Sequence, residues 1–219
     1  MKTIIKNLFL LALVASPYMY LYFIWQQLPD RVPIHFNFEG VADNWSGKNF
    51  LLFLPTGLGA FIYLLMLALP YIDPKKKIQQ MGEKYTSLHF ALTVFFSLLS
   101  FYLLYVTKEG SVKNLSVLFA IIGAMLALLG NYFQTVRPNY FIGVRTPWTL
   151  ENENVWKKTH HMAGRLWMVS GILIAILSFV ISNNFALVIV FTSLIAVMAL
   201  VPIVFSYIEY RKEKKAINQ

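Results

Sequence analysis

The chain has 219 residues, 58% hydrophobic and only 13% charged, whereas a soluble domain carries roughly 25% charged residues, so lipid is the expected solvent. It contains no cysteine, which excludes a disulfide framework, a thiolate zinc site, a cysteine nucleophile and an iron–sulfur cluster. The net charge of +9 does not indicate nucleic-acid binding, because the basic residues collect at the ends of apolar segments and do not cover one face.

Six segments are long and apolar enough to cross a bilayer as helices, which takes roughly 20 residues each. They lie at 7–27, 50–72, 86–107, 114–135, 163–182 and 184–208. The first resembles a signal peptide but continues past Pro17 without a cleavage pattern, so we predict an uncleaved span. None alternates with the period of a barrel strand. The sequence therefore predicts an all-α integral membrane protein, a bundle of six transmembrane helices.

The distribution of lysine and arginine predicts the orientation of these spans. With the N-terminus inside, the cytoplasmic segments carry 15 basic residues and the outer segments carry four. Cytoplasmic loops of membrane proteins are enriched in these residues. We therefore expect both termini in the cytoplasm, an extracellular loop at 28–49 and a cytoplasmic loop at 136–162.

The predicted spans carry little that favours transport. No acidic or basic residue lies at mid-span, whereas ion-coupled transporters usually bury such groups along their pathway. The fourth span instead has a run of small residues: Ala120, Gly123, Ala124, Ala127 and Gly130. This spacing predicts a close approach of two helices.

The outer loop contains a segment with the pattern of a strand. From Val32 to Phe38 apolar and polar residues alternate, and Gly40 ends the alternation. A period of two predicts one partly extended segment with an apolar face and a polar face. Our candidate binding residues lie on the polar face or in the segment after it: His35, Asn37, Glu39, Gly40, Asp43 and Trp45.

This polar face has three interpretations. His35, Glu39 and Asp43 are weak candidates for a metal site or for acid and base roles, but the paired-histidine spacing of metal motifs is missing. The favoured interpretation is a cap on the membrane surface, with Phe36 and Phe38 among the headgroups. The third is that the polar face or an open strand edge receives an extracellular peptide.

The cytoplasmic stretch VRPNYFIGVRTPWTL, residues 136–150, has the composition of a shaped turn. Pro138 ends the fourth span, and Gly143 permits an irregular backbone. Thr146 or Thr149 can cap a following helix.

That helix is predicted to be amphipathic and to lie at the membrane interface before the fifth span. Glu151 and Glu153 suit its first turn, where the helix dipole favours negative charge. Its apolar side contains Val155, Trp156, Thr159 and Ala163, and its other sides contain Lys157, Lys158 and His161.

Four cations of this loop, Arg137, Arg145, Lys157 and Lys158, lie near Asn139 and Trp148 in the sequence. They could form a pocket for a lipid phosphate or for an acidic protein surface. The alternative, favoured for the lysines alone, is simple positive-inside anchoring. The neighbouring His160 and His161 point about 100° apart on a helix, which disfavours a shared metal ion.

The stretch RPNYFIGVRTPWTLENENVWKKTHHMAGRLW closely resembles the signature of the SdpI family of bacterial membrane proteins. The shared features are an Asn, a Gly-x-Arg-Thr-Pro-Trp run, a Val-Trp pair and a Thr-His pair at this spacing. The outer segment LPDRVPIHFNFEGVADNW resembles a domain of unknown function that often precedes this signature. Together the two resemblances cover about residues 10–208.

The resemblance implies a membrane immunity and signalling protein. Such a protein protects a bacterium from a secreted antimicrobial peptide and holds a transcriptional repressor at the cell membrane. The implied partners are the lipid bilayer, a toxin peptide and a repressor protein, with no cofactor, no enzymatic activity and no direct contact with nucleic acid. The positions that match the signature are Asn139, Gly143, Arg145, Thr146, Pro147, Trp148, Trp156, Thr159 and His160.

Two other classes of function stay open at this point. One is a membrane enzyme or metal-binding protein that uses His35, Glu39 and Asp43. The other is a facilitator for a lipid or a small solute. On the favoured interpretation the chain divides into a two-span module at 1–72, a third span with its connections at 73–113, and an SdpI-like module with a basic tail at 114–219.

Overall fold

The computed structural model describes residues 2–37, 39–74, 76–112 and 115–217. Its helices, in chain order, are α1 (Lys2–Ile24), α2 (Phe53–Pro55), α3 (Phe61–Ile72), α4 (Glu83–Glu109), α5 (Leu115–Phe133), α6 (Pro147–Glu151), α7 (Glu153–Val180) and α8 (Asn184–Ile217). Two strands, β1 (Arg31–Phe36) and β2 (Ala42–Gly47), form a hairpin. A π-helical turn at Thr56–Ala60 connects α2 with α3.

Six helical stretches of the described residues are long and apolar enough to cross a membrane, as the sequence predicts. They are Ile5–Gln27, Lys48–Ile72, Glu83–Glu109, Leu115–Phe133, Glu153–Val180 and Asn184–Ala216. Large apolar side chains cover their outward surfaces; Tyr22, Phe23 and Phe179, for example, are each at least 67% exposed. Apolar surface of this extent suits lipid. The chain is a multi-pass membrane protein.

The fifth membrane-length helix, α7, begins earlier than the sequence predicts. The sequence places an interfacial helix before a span at 163–182, whereas α7 runs without a break from Glu153 to Val180. The predicted apolar side of the interfacial helix is the reason. Val155, Trp156, Thr159 and Ala163 are fully buried in the protein, so this part of α7 packs against protein.

The described chain falls into two compact units. The N-terminal unit contains Met1–Ala68 and Thr86–Leu118, and the C-terminal unit contains Leu69–Tyr85 and Phe119–Gln219. The outer hairpin therefore belongs to the N-terminal unit, and the whole signature region belongs to the C-terminal unit.

A buried apolar cluster fixes the hairpin in the N-terminal unit. Its members come from the end of α1, from β1, from the segment before α2 and from the end of α4: Leu21, Ile24, Leu28, Val32, Leu51 and Leu104. Val32 and Leu104 are completely buried. Because these side chains pack β1 against the ends of α1 and α4, they hold the hairpin over the helix ends.

The hairpin corrects the predicted single extended segment in two ways. A second strand, β2, pairs antiparallel with β1, although its sequence ADNWSG has no alternating pattern. Pro33 pairs with Trp45 and His35 pairs with Asn44, so Ile34 is an extra residue in β1. The alternation of faces is broken here, because Val32 and Pro33 are both buried while Ile34 and His35 are both exposed. Phe38, assigned to the headgroups, lies outside the described residues.

Helix α4 contains a buried polar stripe that its hydropathy does not predict. His89, Thr93, Ser97 and Ser100 follow one face of this otherwise apolar helix and are all buried. The hydroxyls of Thr93 and Ser100 donate to backbone carbonyls four residues earlier. The Nε2 atom of His89 and the hydroxyl of Ser97 have no hydrogen-bond partner among the described residues.

Glycines bring α5 and α7 into backbone contact in the C-terminal unit. Gly123 and Gly130 of α5 face Gly171 and Gly164 of α7, seven residues apart on each helix. A Cβ atom on Gly123 would lie 2.7 Å from the Gly171 carbonyl oxygen, and one on Gly130 would lie 2.6 Å from that of Gly164. This confirms the predicted close packing, although Ala124 is exposed.

Candidate functional site

The outer hairpin forms one polar pair and no wider cluster. Nδ1 of His35 lies 2.6 Å from Oδ1 of Asp43, and both side chains are substantially exposed. The side-chain oxygen of Asn37 accepts hydrogen bonds from the backbone N–H groups of Glu39 and Val41, so this residue shapes the turn. In the part of the chain that the structure describes, no group of three or more His, Cys, Asp or Glu side chains is placed so that it could hold a metal ion. Of the three weak metal candidates, the pair is formed by His35 and Asp43.

Gly40 connects the hairpin to the segment after α4. Its φ angle is +80°, and a Cβ atom there would overlap the Val112 carbonyl group. The Gly40 carbonyl oxygen accepts a hydrogen bond of 2.9 Å from the Val112 N–H. A left-handed backbone at such close approach requires glycine. Trp45 is 46% exposed, and Ile34 and Val41 of the same hairpin are also exposed, so the hairpin presents apolar side chains to its surroundings.

The second candidate region is the segment between α5 and α7, residues 134–152, which we call the α5–α7 turn. Asn139 is 2% exposed and organises its first half. Its amide nitrogen donates to the carbonyl oxygens of Arg137 and Ile142. Its side-chain oxygen accepts from the N–H groups of Phe141 and Ile142. With all these bonds made inside the turn, Asn139 is a positioning residue.

His160 of α7 connects the middle of the turn to the helix. Its Nε2 atom accepts a hydrogen bond from the Val144 N–H at 2.9 Å, so this nitrogen carries no proton. Its Nδ1 atom donates to the Trp156 carbonyl oxygen at 2.9 Å. The ring is therefore neutral. Gly143 has a φ angle of +109°, and a Cβ atom there would overlap His160 Nε2, so glycine is required.

Trp156 connects the beginning of the turn to the same helix. Its indole N–H donates to the Val136 carbonyl oxygen at 2.9 Å, and its ring stacks on that of His160 with centroids 3.9 Å apart. Both side chains are buried. Thr159 is also fully buried, and its hydroxyl has no partner among the described residues. The predicted pairs Val-Trp and Thr-His therefore form the inner wall of the turn.

The turn ends in a short helix, α6, which has its own N-terminal cap. The sequence predicts one capped helix here, whereas α6 and α7 are capped separately. Thr146 caps α6 by accepting from the Thr149 N–H, and the Thr149 hydroxyl accepts from the Thr146 N–H. Pro147 occupies the first turn of α6, a favoured position for proline. Asn152 separately caps α7. The sequence predicts one helix with both glutamates in its first turn, but only Glu153 is there, because Glu151 ends α6.

Helix α8 contacts the turn through residues that the sequence motifs do not predict. The Ser206 hydroxyl lies 3.1 Å from that of Thr146, and Tyr207 packs on Trp148. Glu209 is buried and pairs with Lys158 at 3.2 Å and with Lys212 at 2.6 Å. Glu213 also pairs with Lys158, at 3.0 Å. The spacing of Ser206, Glu209 and Glu213 on one helix face is the sequence signal that could have identified them.

The four predicted cations, two in the turn and two at the start of α7, do not all meet in one place. An open cavity of about 450 Å³ is lined by Gln134, Thr135, Val136, Arg137, Pro138, Lys157, Lys158, His160 and His161. Arg145 and Trp148 are not part of this lining, and the exposed Arg145 instead donates to the Tyr140 carbonyl oxygen at 2.7 Å. The predicted pocket is thus smaller than the sequence implies, because Arg145 and Asn139 serve the turn itself.

Comparison with known proteins identifies this region. Residues 135–206, from the cavity to the contacts of α8, match the model of the SdpI/YfhL protein family. This region carries the SdpI/YfhL family signature. Residues 12–59, which include the hairpin, match a domain of unknown function, DUF1648. Both resemblances inferred from the sequence motifs are therefore confirmed.

One curated relative of this chain is the immunity protein SdpI of Bacillus subtilis (strain 168). The two are 26% identical over 215 residues, which cover 94% of this chain and 97% of the relative. The likeness therefore includes the hairpin, the α5–α7 turn and the helices. No solved structure matches the chain.

Proposed function

We propose that this SdpI-family chain is an immunity protein that protects the cell membrane carrying it from a secreted antimicrobial peptide. The observation that supports this function is its similarity to the immunity protein SdpI over nearly the full length of both chains. A similarity confined to one module would support only a shared domain. Here both the outer hairpin and the inner turn are included.

The charge distribution supports a specific orientation for this function. With both termini in the cytoplasm, 15 of the 19 basic residues lie on the cytoplasmic side, which places the hairpin outside and the α5–α7 turn inside. The hairpin then meets an extracellular peptide before the bilayer does. Its exposed Ile34, Val41 and Trp45 beside the polar pair of His35 and Asp43 suit an amphipathic peptide.

The α5–α7 turn is the proposed site of a cytoplasmic response. Its cations are presented by a backbone that Asn139, Trp156 and His160 hold in place. A rigid cationic surface suits a repressor protein with an acidic patch, held at the membrane once the toxin is sensed. This step is separate from protection, so a chain that protects without holding a repressor is still an immunity protein.

Deletion of the gene in its native host tests the proposal. We expect the deleted strain to be killed at lower concentrations of at least one antimicrobial peptide secreted by the same or neighbouring bacteria. Plasmid-borne wild-type protein should restore survival, and an equally expressed Trp45→Ala variant should restore less of it. Unchanged sensitivity of the deletion strain to every such peptide would contradict the proposed immunity function.

A further inference from the structure

The cavity beside the α5–α7 turn has no role in the proposed immunity function, and its two walls belong to different elements. One wall is the segment 134–138, which follows α5 directly, and the other is the exposed side of α7 with Lys157, Lys158 and His161. The indole hydrogen bond from Trp156 to the Val136 carbonyl oxygen holds the two walls together. The cavity is therefore preformed, which lowers the ordering cost of binding.

The charge of this cavity is not balanced by the protein. No acidic residue is part of its lining. Lys158 is paired with Glu209 and Glu213. Arg137 and Lys157 are exposed and have no carboxylate partner among the described residues. Two free cations therefore face a cavity whose remaining polar groups include His161 and Gln134, and an anion is the matching ligand.

The position and walls of the cavity indicate which anion. Arg137 is four residues beyond Phe133, where the membrane-length helix α5 ends, so it lies at the depth of headgroup phosphates. A guanidinium binds phosphate oxygens in a bidentate manner. Val136 and Pro138 add apolar wall, which suits a glycerol backbone. A volume of about 450 Å³ lies within the roughly 300–1,000 Å³ of small-ligand sites.

We propose that this cavity is a binding site for the headgroup of an anionic phospholipid, with Arg137 and Lys157 on the phosphate. The site does not depend on the proposed immunity function, because it would operate in a protein that meets no toxin. It anchors the turn to the bilayer surface at a fixed depth. An acidic protein segment would need no apolar wall and no headgroup depth, so the lipid is the better match.

Lipid titration of the purified full-length protein tests this site. The protein is placed in phosphatidylcholine nanodiscs, and binding of fluorescent phosphatidylglycerol is measured for wild type and for the double variant Arg137→Gln/Lys157→Gln. A cation that contacts the lipid phosphate contributes about 5-fold to the affinity for anionic lipid, so we expect about 25-fold weaker binding in the double variant. The control Lys214→Gln/Lys215→Gln removes two exposed charges from α8 and should retain affinity within about 2-fold.

A conservative variant separates geometry from charge. Arg137→Lys retains the charge but loses the bidentate contact, so we expect a loss of affinity between those of wild type and the double variant. An unchanged thermal unfolding curve, followed by tryptophan fluorescence, will show that both variants are folded.

Several results would overturn the lipid site. Equal weakening in the α8 control would mean that general surface charge attracts the lipid. Equal binding of fluorescent phosphatidylcholine would exclude recognition of anionic charge. Displacement of the lipid by micromolar sn-glycerol 3-phosphate would reassign the site to a soluble phosphate ester. Unchanged lipid binding in the double variant, together with loss of a bound acidic protein, would reassign it to that protein.

Discussion

Most of the characteristic residues of the α5–α7 turn stabilise its backbone, and only a few side chains are available to bind a ligand. Asn139, Trp156 and His160 use their polar atoms on backbone groups of the turn or of α7. Arg137 and Lys157 instead have exposed side chains beside the cavity. A substitution of the first kind will therefore change stability, and one of the second kind will change binding.

The substitution Gly143→Ala tests whether the turn requires glycine at this position. Its Cβ atom would overlap His160 Nε2, and the φ angle of +109° disfavours any L side chain. We expect a loss of about 1–3 kcal/mol in the free energy of unfolding, seen as a lower Tm of the detergent-purified protein. The matched control is Gly57→Ala, where an added Cβ meets nothing within 4 Å. Equal Tm values for the two variants would contradict the role of Gly143.

The sequence predicts some of these residues and not others. It identifies the glycine and the capping threonine, because backbone demands of this kind are local. It cannot show that Asn139 turns inward or that Val144 donates to His160, because both depend on contacts formed only after the turn meets α7. The contacts of Ser206 and Glu209 are missed for the same reason, since 60 residues separate Ser206 from Thr146.

At the scale of elements, the helices and the first strand of the hairpin were predictable and the second strand was not. Hydropathy over roughly 20 residues is a local property, so six spans follow from the sequence. The start of α7 does not, because burial of Trp156 and Ala163 against protein extends the helix beyond the hydrophobic run. Strand β2 is missed because its pairing with β1 stabilises it and its own pattern does not.

The close contact between α5 and α7 can be tested by replacing its glycines with alanine. Gly130→Ala would overlap the Met168 backbone nitrogen, and Gly164→Ala would lie 2.9 Å from the Gln134 backbone nitrogen. The helices must separate, and we expect each variant to lose about 1–3 kcal/mol of stability. The double variant should lose less than the sum of the two, because the first substitution already opens the interface. Additive losses in thermal unfolding would indicate that the two glycines do not share one contact.

For the whole molecule, the central expectation is that the hairpin and the α5–α7 turn lie on opposite sides of the membrane. The natural chain has no cysteine, so single cysteines can be added without removing any. We expect Asn44→Cys, on the exposed side of β2, to react with a membrane-impermeant maleimide in intact cells. Asn154→Cys, exposed at the start of α7, should react only after the cells are opened. The reverse labelling pattern would contradict the orientation derived from charge.

Transfer of resistance is the most direct test of the immunity function. The gene is expressed in a bacterium that is sensitive to a peptide identified with the native deletion strain, and the lethal peptide concentration is measured with and without the protein. We predict a several-fold higher lethal concentration with wild type, a smaller increase with Trp45→Ala, and an increase equal to that of wild type with Lys215→Gln, at equal membrane abundance. A host that is killed at the same concentration with or without the wild-type protein would contradict the account.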